Sequence, residues 1–222
     1  MRYSLKRLGL LSFFLFTALV SRAQVFPSQL NLSEHSPDSF LVSFKSTKGD
    51  FVIKAIRSWS PLAVDRLYVL AKNHYYDGCV IYRVAETKSV KNGKVVQFGL
   101  ENNTVANKAW EKATINDEPV KGPKSPGAVL FARGGPNTRS NELAIMLTPS
   151  TELDTVHYQG VAGFPTVAEV VKGIEVLGNF NGQYGNSVFD HEDSLQLGRE
   201  YLDKAYPGLD RIISVKIIEK IK

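Results

Sequence analysis

Short runs in which apolar and polar residues alternate dominate this chain and limit the folds available to it. Phe40, Val42 and Phe44 alternate with polar neighbours, and the run from Phe51 to Ala55 repeats the pattern around a turn that contains Gly49. Two such runs around a glycine-containing turn predict a β-hairpin. Further short β-prone runs predict strands at 79–82, 95–98, 128–132, 143–147, 167–171 and 212–218.

Helical signals are fewer than strand signals. Ser60-Pro61 is a typical helix start, because proline at the first helical position has no N–H to lose. One apolar face follows it at helical spacing, formed by Val64, Leu67, Tyr68 and Ala71. Residues 174–180 predict a second, short helix. Many short strands with two helices predict a mainly β fold, either a barrel or a sandwich with helices attached, and barrel closure would remove exposed sheet edges.

The first 23 residues have the layout of a secretory signal peptide. Basic residues at its start precede an apolar run from Leu8 to Val20 and the small residues Ser21 and Ala23. An apolar run this short favours cleavage after Ala23, and an uncleaved anchor is the alternative. We therefore expect a signal peptide at 1–23, an N-terminal linker at 24–37 and one domain at 38–222. The protein would be exported, to the periplasm if the source is Gram-negative, with no stable membrane insertion after cleavage.

Charge and composition exclude several classes of function. Four of the 27 basic residues lie in residues 1–23, which leaves 23 against 22 acidic residues and no basic field for nucleic acid. The single cysteine, Cys79, excludes a disulfide scaffold and a thiolate zinc site. The four histidines are scattered, and the acidic cluster around His191 is interpreted as a solvated loop. We expect no metal and no cofactor.

Six segments, taken in order, resemble the cyclophilin-type peptidyl-prolyl isomerases. They are YYDGCVIYRV at 75–84, VVQFG at 95–99, SPGAVLFARGGPNT at 125–138, ELAIML at 142–147, LDTVH at 153–157 and VAEVVKGIEVL at 167–177. The stretches 109–120 and 184–213 are similar to those of the family's bacterial members. The resemblance implies a closed eight-stranded antiparallel barrel capped by two α-helices, with a peptide groove on its outside.

The implied reaction needs a fixed donor beside a proline pocket. Rotation about an X–Pro bond crosses an amide barrier of about 18–20 kcal/mol, and no bond is broken. The twisted proline nitrogen becomes pyramidal and regains a lone pair, which a fixed cation stabilises more than it stabilises the planar amide. Arginine suits this role because it is always charged and its forked donors are rigid. The resemblance places Arg83 at the catalytic position.

The resemblance also implies a set of substrate-binding residues around Arg83. Gln97 would orient the arginine and the substrate backbone, and Val95 lies on the same predicted strand. Ala132 and Arg133 would offer backbone groups to an extended peptide, as in β-augmentation. Leu153 would form an apolar wall of the proline pocket and His157 would hydrogen-bond the substrate. Two further positions in this set, Glu142 and Ala144, depart from the family pattern.

The departures concern the pocket. Residues 85–94 form a longer loop than the family has between its arginine and glutamine, and Lys94 falls on the position of a pocket phenylalanine. Ala144 replaces a second pocket phenylalanine and Glu152 replaces a tryptophan. Glu142 stands where glutamine is usual, and we expect it to lie near Arg83, pair with it and partly neutralise it.

Two functions remain open on this evidence. The first is an exported isomerase of X–Pro bonds that assists the folding of exported proteins. The second is a cyclophilin-like module that binds peptide or protein with weak or no catalysis, which the replaced aromatics favour. In either case the expected partners are proline-containing polypeptides, and a monomer is expected.

Overall fold

The computed structural model describes residues 24–87, 89–158, 160–191 and 197–221, so the predicted signal peptide lies outside it. Its strands are β1 Ser39–Ser46, β2 Gly49–Ile56, β3 Ile81–Thr87, β4 Gly93–Phe98, β5 Ala128–Phe131, β6 Leu143–Met146, β7 His157–Tyr158, β8 Val161–Ala162, β9 Thr166–Lys172 and β10 Ile212–Ile221. Its helices are α1 Pro61–Lys72, α2 Thr104–Lys112, α3 Ile174–Gly178, α4 Ser187–Asp190 and α5 Arg199–Ala205, with 3-10 turns at Pro27–Gln29, Arg57–Trp59 and Thr151–Asp154. Among these described helices, none is both long enough and apolar enough to cross a bilayer.

Eight strands form one curled antiparallel sheet, which confirms the mainly β prediction. Their order across the sheet is β10-β1-β2-β9-β5-β6-β4-β3. The predicted hairpin is present as β1 and β2, in which Phe44 pairs with Phe51. Each predicted strand run overlaps an observed strand, because periodicity and turn residues are local signals.

The predicted closed barrel is wrong, because the two edge strands do not pair along their length. Within the described residues, β3 and β10 approach only where the chain enters them, through an isolated bridge between Val80 and Arg211. Gly78 and Ile81 donate backbone hydrogen bonds to Ile212 and Asp210 at 2.7 and 2.8 Å. Farther along β3, the backbone carbonyl of Glu86 accepts from the Asn186 side chain instead of from a strand. The sheet is therefore an open, curled half-barrel.

The main core fills the concave side of the sheet beneath α1. Aromatic rings dominate it: Phe44 stacks on Phe51 with centroids 4.9 Å apart, and Phe98 contacts both Phe44 and Tyr76 edge to face. Edge-to-face and offset pairs of this kind add stability beyond the area they bury. This core anchors the inward faces of β3 and β4, and so fixes the outward direction of their alternate residues.

Helix α1 begins at Pro61 as predicted, but a distant carboxylate caps it. Glu118 accepts from the backbone N–H groups of Leu62 at 2.7 Å and Ala63 at 3.2 Å, and from the hydroxyl of Ser60. A carboxylate at a helix N-terminus satisfies unpaired N–H groups and complements the helix dipole. All residues from Ala63 to Ala71 are buried, not one face alone.

The second long helix, α2, was not predicted. Asn103 caps it with its side-chain oxygen, which accepts from Val105 at 2.9 Å and Ala106 at 3.0 Å. Buried Ala106 and Trp110 form its inward face at helical spacing. These signals, an asparagine N-cap and an i, i+4 apolar pair, are present in the sequence.

Residues 24–37, predicted to be a linker, lie along the domain. The backbone N–H of Val25 donates to Glu101 at 3.2 Å, and its carbonyl accepts from the indole of Trp110 at 2.8 Å. Ser36 donates its backbone N–H to Asp65 at 2.9 Å. Val25, Leu30 and Leu32 pack against the core. Hydrogen bonds and apolar contacts thus attach this segment to the folded domain at several points.

Candidate functional site

Strand pairing places Arg83 and Gln97 on the convex face of the sheet. Arg83 on β3 pairs with Gln97 on β4, and Gln97 pairs with Ala144 on β6. The next pair, Val84 and Val96, lies on the opposite face, where Val96 is part of the main core. Since directly paired residues share a face and successive residues alternate, Arg83, Gln97 and Ala144 form a row on the outside.

Gln97 joins Arg83 to Glu142 through its amide. Nη1 of Arg83 donates to Oε1 of Gln97 at 3.1 Å, and Nε2 of Gln97 lies 3.4 Å from Oε2 of Glu142. Glu142 and Arg83 thus contact the same amide, and the expected pairing of the two side chains stays a prediction. An amide that accepts from a cation and donates to a carboxylate has a single consistent orientation, which fixes the arginine side chain.

Tyr82 is a member of this network that sequence reasoning missed. A β-bulge shifts the register between Ile81 and Arg83, and the hydroxyl of the intervening Tyr82 donates to Glu142. Bulges redirect side chains in this way and recur beside functional sites. Burial, and then the negative charge of Glu142, raises the pKa of Tyr82 well above its ordinary value, so the phenol remains a donor at neutral pH.

Helix α4 and the residue before it, Asn186, cover part of Arg83. Nε of Arg83 donates to Oδ1 of Asn186 at 2.8 Å, and the ring of Phe189 lies 4.3 Å from the guanidinium carbon. Arg83 as a whole is half-buried. The site is therefore built from β3, β4 and β6 together with residues from beyond the sheet.

An apolar cluster on the convex face continues from this row. Its buried members are Val90, Val95, Ala128, Leu130, Met146 and Leu153, and half-buried Ala144, Val156 and Phe164 pack against it. Val95 lies two residues from Gln97, and Ala144 is paired with Gln97, so the cluster adjoins the arginine network. A fixed cation beside an apolar surface is the arrangement that proline isomerisation requires.

Comparison with known proteins decides the family. Residues 41–194 match the family described as cyclophilin type peptidyl-prolyl cis-trans isomerase/CLD. The chain belongs to the cyclophilin-type peptidyl-prolyl cis-trans isomerases. The resemblance in its motifs is thereby confirmed, as is the reaction class, isomerisation of peptidyl-prolyl bonds.

Individual relatives of this cyclophilin are distant. Peptidyl-prolyl cis-trans isomerase ppi1 of Schizosaccharomyces pombe is 27% identical over 116 residues, which cover 52% of this chain and 73% of that protein. A putative bifunctional phosphatase/peptidyl-prolyl cis-trans isomerase of Streptococcus pyogenes is 26% identical over 144 residues, or 65% of this chain and 27% of that protein. A crystal structure of a cyclophilin type isomerase from Cryptosporidium parvum, determined in the presence of the dipeptide Ala-Pro, shares the fold with a TM-score of 0.50. At 17% identity it covers 81% of this chain and 99% of that one.

Lys94 does not take the place of the family's pocket phenylalanine in this cyclophilin. It pairs with Glu86, and both lie on the same face as Val84 and Val96, opposite Arg83. Lys94 lines a cavity of about 500 Å³ together with Leu147 and Phe180, and Val95 and Asn186 line the same cavity. Val90, from the inserted loop, contributes the apolar side chain to the convex cluster instead, and only 3% of it is exposed. The insertion thus adds an apolar side chain to the convex cluster.

Ala132 and Arg133, the predicted peptide platform, follow directly after β5. The backbone N–H of Ala132 donates to the carbonyl of Glu142 at 2.9 Å, which continues the β5–β6 pairing. The side chain of Arg133 is buried and donates to the carbonyls of Val161 and Gly163. Its guanidinium carbon lies 4.1 Å from the ring of Phe164, and burial lowers the pKa of Arg133. Arg133 therefore supports the 161–164 segment with its side chain.

Leu153 and His157 lie in the segment that closes the far side of the convex cluster. Leu153, in the 3-10 turn Thr151–Asp154, is buried in that cluster, and its carbonyl accepts from Phe164 at 2.7 Å. His157 begins the short strand β7, pairs with Ala162 of β8 and is exposed. The structure thus brings Leu153 together with Val95 and Ala144, and leaves His157 on the surface. Among the described residues, no group of acidic, histidine and cysteine side chains is placed to hold a metal ion.

Proposed function

We propose that the protein isomerises X–Pro bonds in extended segments of exported polypeptides, with Arg83 as its catalytic residue. The observation that carries the proposal is the hydrogen bond from Arg83 to Gln97 beside the convex apolar cluster. It supplies a held cation and an apolar surface in one place. Proline-containing peptides are the matching substrates, because the proline ring is apolar and its amide bond is the reacting group.

In this mechanism the substrate lies across the convex face with its proline ring on half-buried Ala144 and Phe164, beside buried Val95 and Leu153. The Arg83 guanidinium donates towards the proline amide, and this interaction strengthens as the nitrogen becomes pyramidal. Only interactions that are stronger in the twisted state lower the barrier. Gln97 limits the rotation of the guanidinium, so little reorganisation is needed when the bond turns. The backbone at Ala132 and Arg133 holds the neighbouring residues in extended form.

Glu142 tunes this arrangement. It accepts from Tyr82 and from Gln97, whose amide also accepts from Arg83. A carboxylate here improves the orientation of the arginine and reduces the net positive potential that the twisted amide meets. Catalysis would therefore be slower than with a neutral residue at this position.

The second candidate is a peptide-binding module with little catalysis. Two observations favour it: the Phe189 ring covers one side of the Arg83 guanidinium, and Ala144 brings no aromatic ring to the part of the convex cluster beside Gln97. Such a protein would bind extended proline-containing segments without lowering the rotational barrier. A monomer is sufficient for either function.

Exchange spectroscopy separates the two candidates. The purified protein is added to an Ala-Pro peptide, and cis-trans exchange is followed by NMR under conditions where the uncatalysed reaction takes tens of seconds or longer. Catalysis predicts exchange in well under a second that is lost in Arg83→Ala. Peptide chemical-shift changes without faster exchange would support the binding module and contradict isomerisation.

Export is proposed from residues 1–23 and from the near-neutral charge of the remaining chain. Fusion of these residues to a reporter that is active only outside the cytoplasm tests it. Reporter activity, with loss of the first 23 residues in the mass of the mature product, is the expected result. A silent reporter, or an intact fusion retained in the cytoplasm, would contradict export.

A further inference from the structure

The side chain of Asn186 bridges the catalytic arginine and the edge of the sheet. Its Oδ1 accepts from Nε of Arg83 at 2.8 Å, and its Nδ2 donates to the carbonyl of Glu86 at 3.1 Å. With both ends of the amide engaged, the acceptor oxygen can face the arginine in one orientation only. Asn186 is also 103 residues away from Arg83 in sequence.

The segment that carries Asn186 is itself tied to the domain. The backbone N–H of Asn181 donates to Asp210 at 2.6 Å, and its side chain donates to Gly208 at 2.9 Å. The hydroxyl of Tyr184 donates to the carbonyl of Pro207 at 2.8 Å. On the other side of Asn186, buried Val188 packs with Val80 and Tyr82. Asn186 is therefore held between two anchored points.

We propose that Asn186 is a positioning residue for Arg83, which completes the isomerase site from outside the sheet. This inference rests on the proposed function. Gln97 holds Nη1, at the outer end of the guanidinium, whereas Asn186 holds Nε at its stem. Two bonds at different nitrogens fix the rotation of the guanidinium plane, which one bond alone does not fix. Phe189, 4.3 Å away, limits its movement out of the plane.

The alternative is that the segment covers Arg83 and hinders substrate access. The two roles predict opposite changes in activity when the Asn186 side chain is removed. The position of the bond favours positioning, because Asn186 binds Nε and takes none of the terminal N–H groups of the fork. A positioning residue lowers kcat when it is removed and changes peptide affinity little, because its effect belongs to the transition state. A cover raises both activity and affinity when it is removed.

The test compares Asn186→Ala, Asn186→Asp and Ser187→Ala in the full purified protein. Asn186→Asp keeps an acceptor oxygen for Nε, and Ser187→Ala changes an exposed neighbour as the matched control. We expect about a tenfold fall in kcat for Asn186→Ala, from the loss of a hydrogen bond to a charged group. Peptide Kd should stay within about twofold and Ser187→Ala should match the wild type. Only part of the activity should return in Asn186→Asp, because its oxygen holds Nε while its negative charge lowers the positive potential of Arg83. Unchanged or increased kcat in Asn186→Ala would overturn the proposal.

A second readout does not depend on catalysis. With ¹⁵N-labelled arginine side chains, the Nε–H of Arg83, assigned from its loss in Arg83→Lys, should exchange slowly with water in the wild type and in Asn186→Asp. It should exchange at least tenfold faster in Asn186→Ala. Equal exchange in all variants would refute the positioning role. If the wild type catalyses nothing while this pattern is seen, the proposed isomerase function fails and the structural tie between Asn186 and Arg83 stands.

Discussion

Nη1 of Arg83 donates to Oε1 of Gln97 at 3.1 Å, across a pair of directly opposed residues on β3 and β4. Strand register alone therefore places the cation beside the amide that orients it. The same amide reaches Glu142 at 3.4 Å, so a carboxylate charge acts on the arginine through one intervening side chain. The orientation of the Arg83 guanidinium and the electrostatic potential around it therefore depend on Gln97 and Glu142 as well as on Arg83.

Glu142→Gln should raise kcat/KM about fivefold. Removal of a negative charge near the guanidinium increases the positive potential offered to the twisted amide, at a separation where partly screened charges interact by about 1 kcal/mol. Glutamine can still accept from Tyr82 and Gln97, so the geometry is kept. Glu175→Gln, which removes an exposed carboxylate on α3, is the control. An unchanged rate in Glu142→Gln would show that the charge has no influence on catalysis.

Val90→Ala should weaken both the fold and peptide binding. Val90 is buried in the convex cluster, and truncation of a buried aliphatic side chain to alanine costs about 1–2 kcal/mol. Urea unfolding should show this loss, and the Kd for an Ala-Pro peptide should rise. The exposed Lys91→Ala is a control in the same loop. If the two variants have equal stability and affinity, the inserted loop does not support the pocket.

The protein should lose stability in acid, because protonation of Asp65 removes a stabilising interaction. Burial alone would raise its pKa, but hydrogen bonds from Arg57, Ser36 and His35 outweigh burial and lower the pKa from 3.8 to about 2. Because the folded-state value is the lower one, the stabilisation is complete above about pH 4 and is lost as the pH falls through 2. The shift corresponds to about 2 kcal/mol.

Urea unfolding at pH 7, 4 and 2 checks this prediction, with Asp65→Asn as the comparison. The wild type should lose about 2 kcal/mol more than the variant between pH 7 and pH 2. Asp65 forms a salt bridge with Arg57 at 2.8 Å. It also accepts from the backbone N–H of Ser36, which links α1 to the N-terminal segment. Parallel pH dependence in the two proteins would contradict the assignment.

Three buried tyrosines should remain neutral until the protein unfolds in alkali. Burial is the main cause of the raised pKa values of Tyr75, Tyr76 and Tyr82. Since these folded-state values exceed those of the unfolded chain, the stabilisation is present below about pH 10 and is lost as the pH rises beyond it. Tyrosinate absorbance should rise in two steps, the second together with loss of circular dichroism. Tyr82→Phe should reduce the second step by one tyrosine, and ionisation of all tyrosines in the folded state would contradict the prediction.

Local patterns in the sequence predicted most of the sheet. The hairpin of β1 and β2 and the start of α1 at Pro61 follow from periodicity and turn residues within a few positions. Barrel closure could not be predicted this way, because it depends on how β3 meets β10 across more than 100 residues. The contact between Asn186 and the edge of β3 is another long-range interaction that no local sequence pattern predicts.

The candidate site was predicted in part. Arg83 and Gln97 come together because β3 and β4 are neighbours, and Glu142 joins them because it directly precedes β6. The comparison by position placed Lys94 in the pocket, although counting by twos from Gln97 puts Val95 on the arginine face and Lys94 on the other. The insertion at 85–94 made the position uncertain, because an alignment across extra residues does not show which of these residues faces the groove. Phe189 and Tyr82 reach the site through a distant segment and a bulge, which periodicity does not reveal.

The most direct test of the account is the rate of X–Pro isomerisation by the wild type, Arg83→Lys and Arg83→Ala, measured in a protease-coupled peptide assay. Each protein must first show the same unfolding midpoint within a few degrees. We expect kcat/KM to fall at least a hundredfold in Arg83→Ala and to recover only slightly in Arg83→Lys, because lysine keeps the charge but loses the fork that Gln97 and Asn186 hold. A catalysed rate that is equal in the wild type and Arg83→Ala would contradict the central role of this arginine.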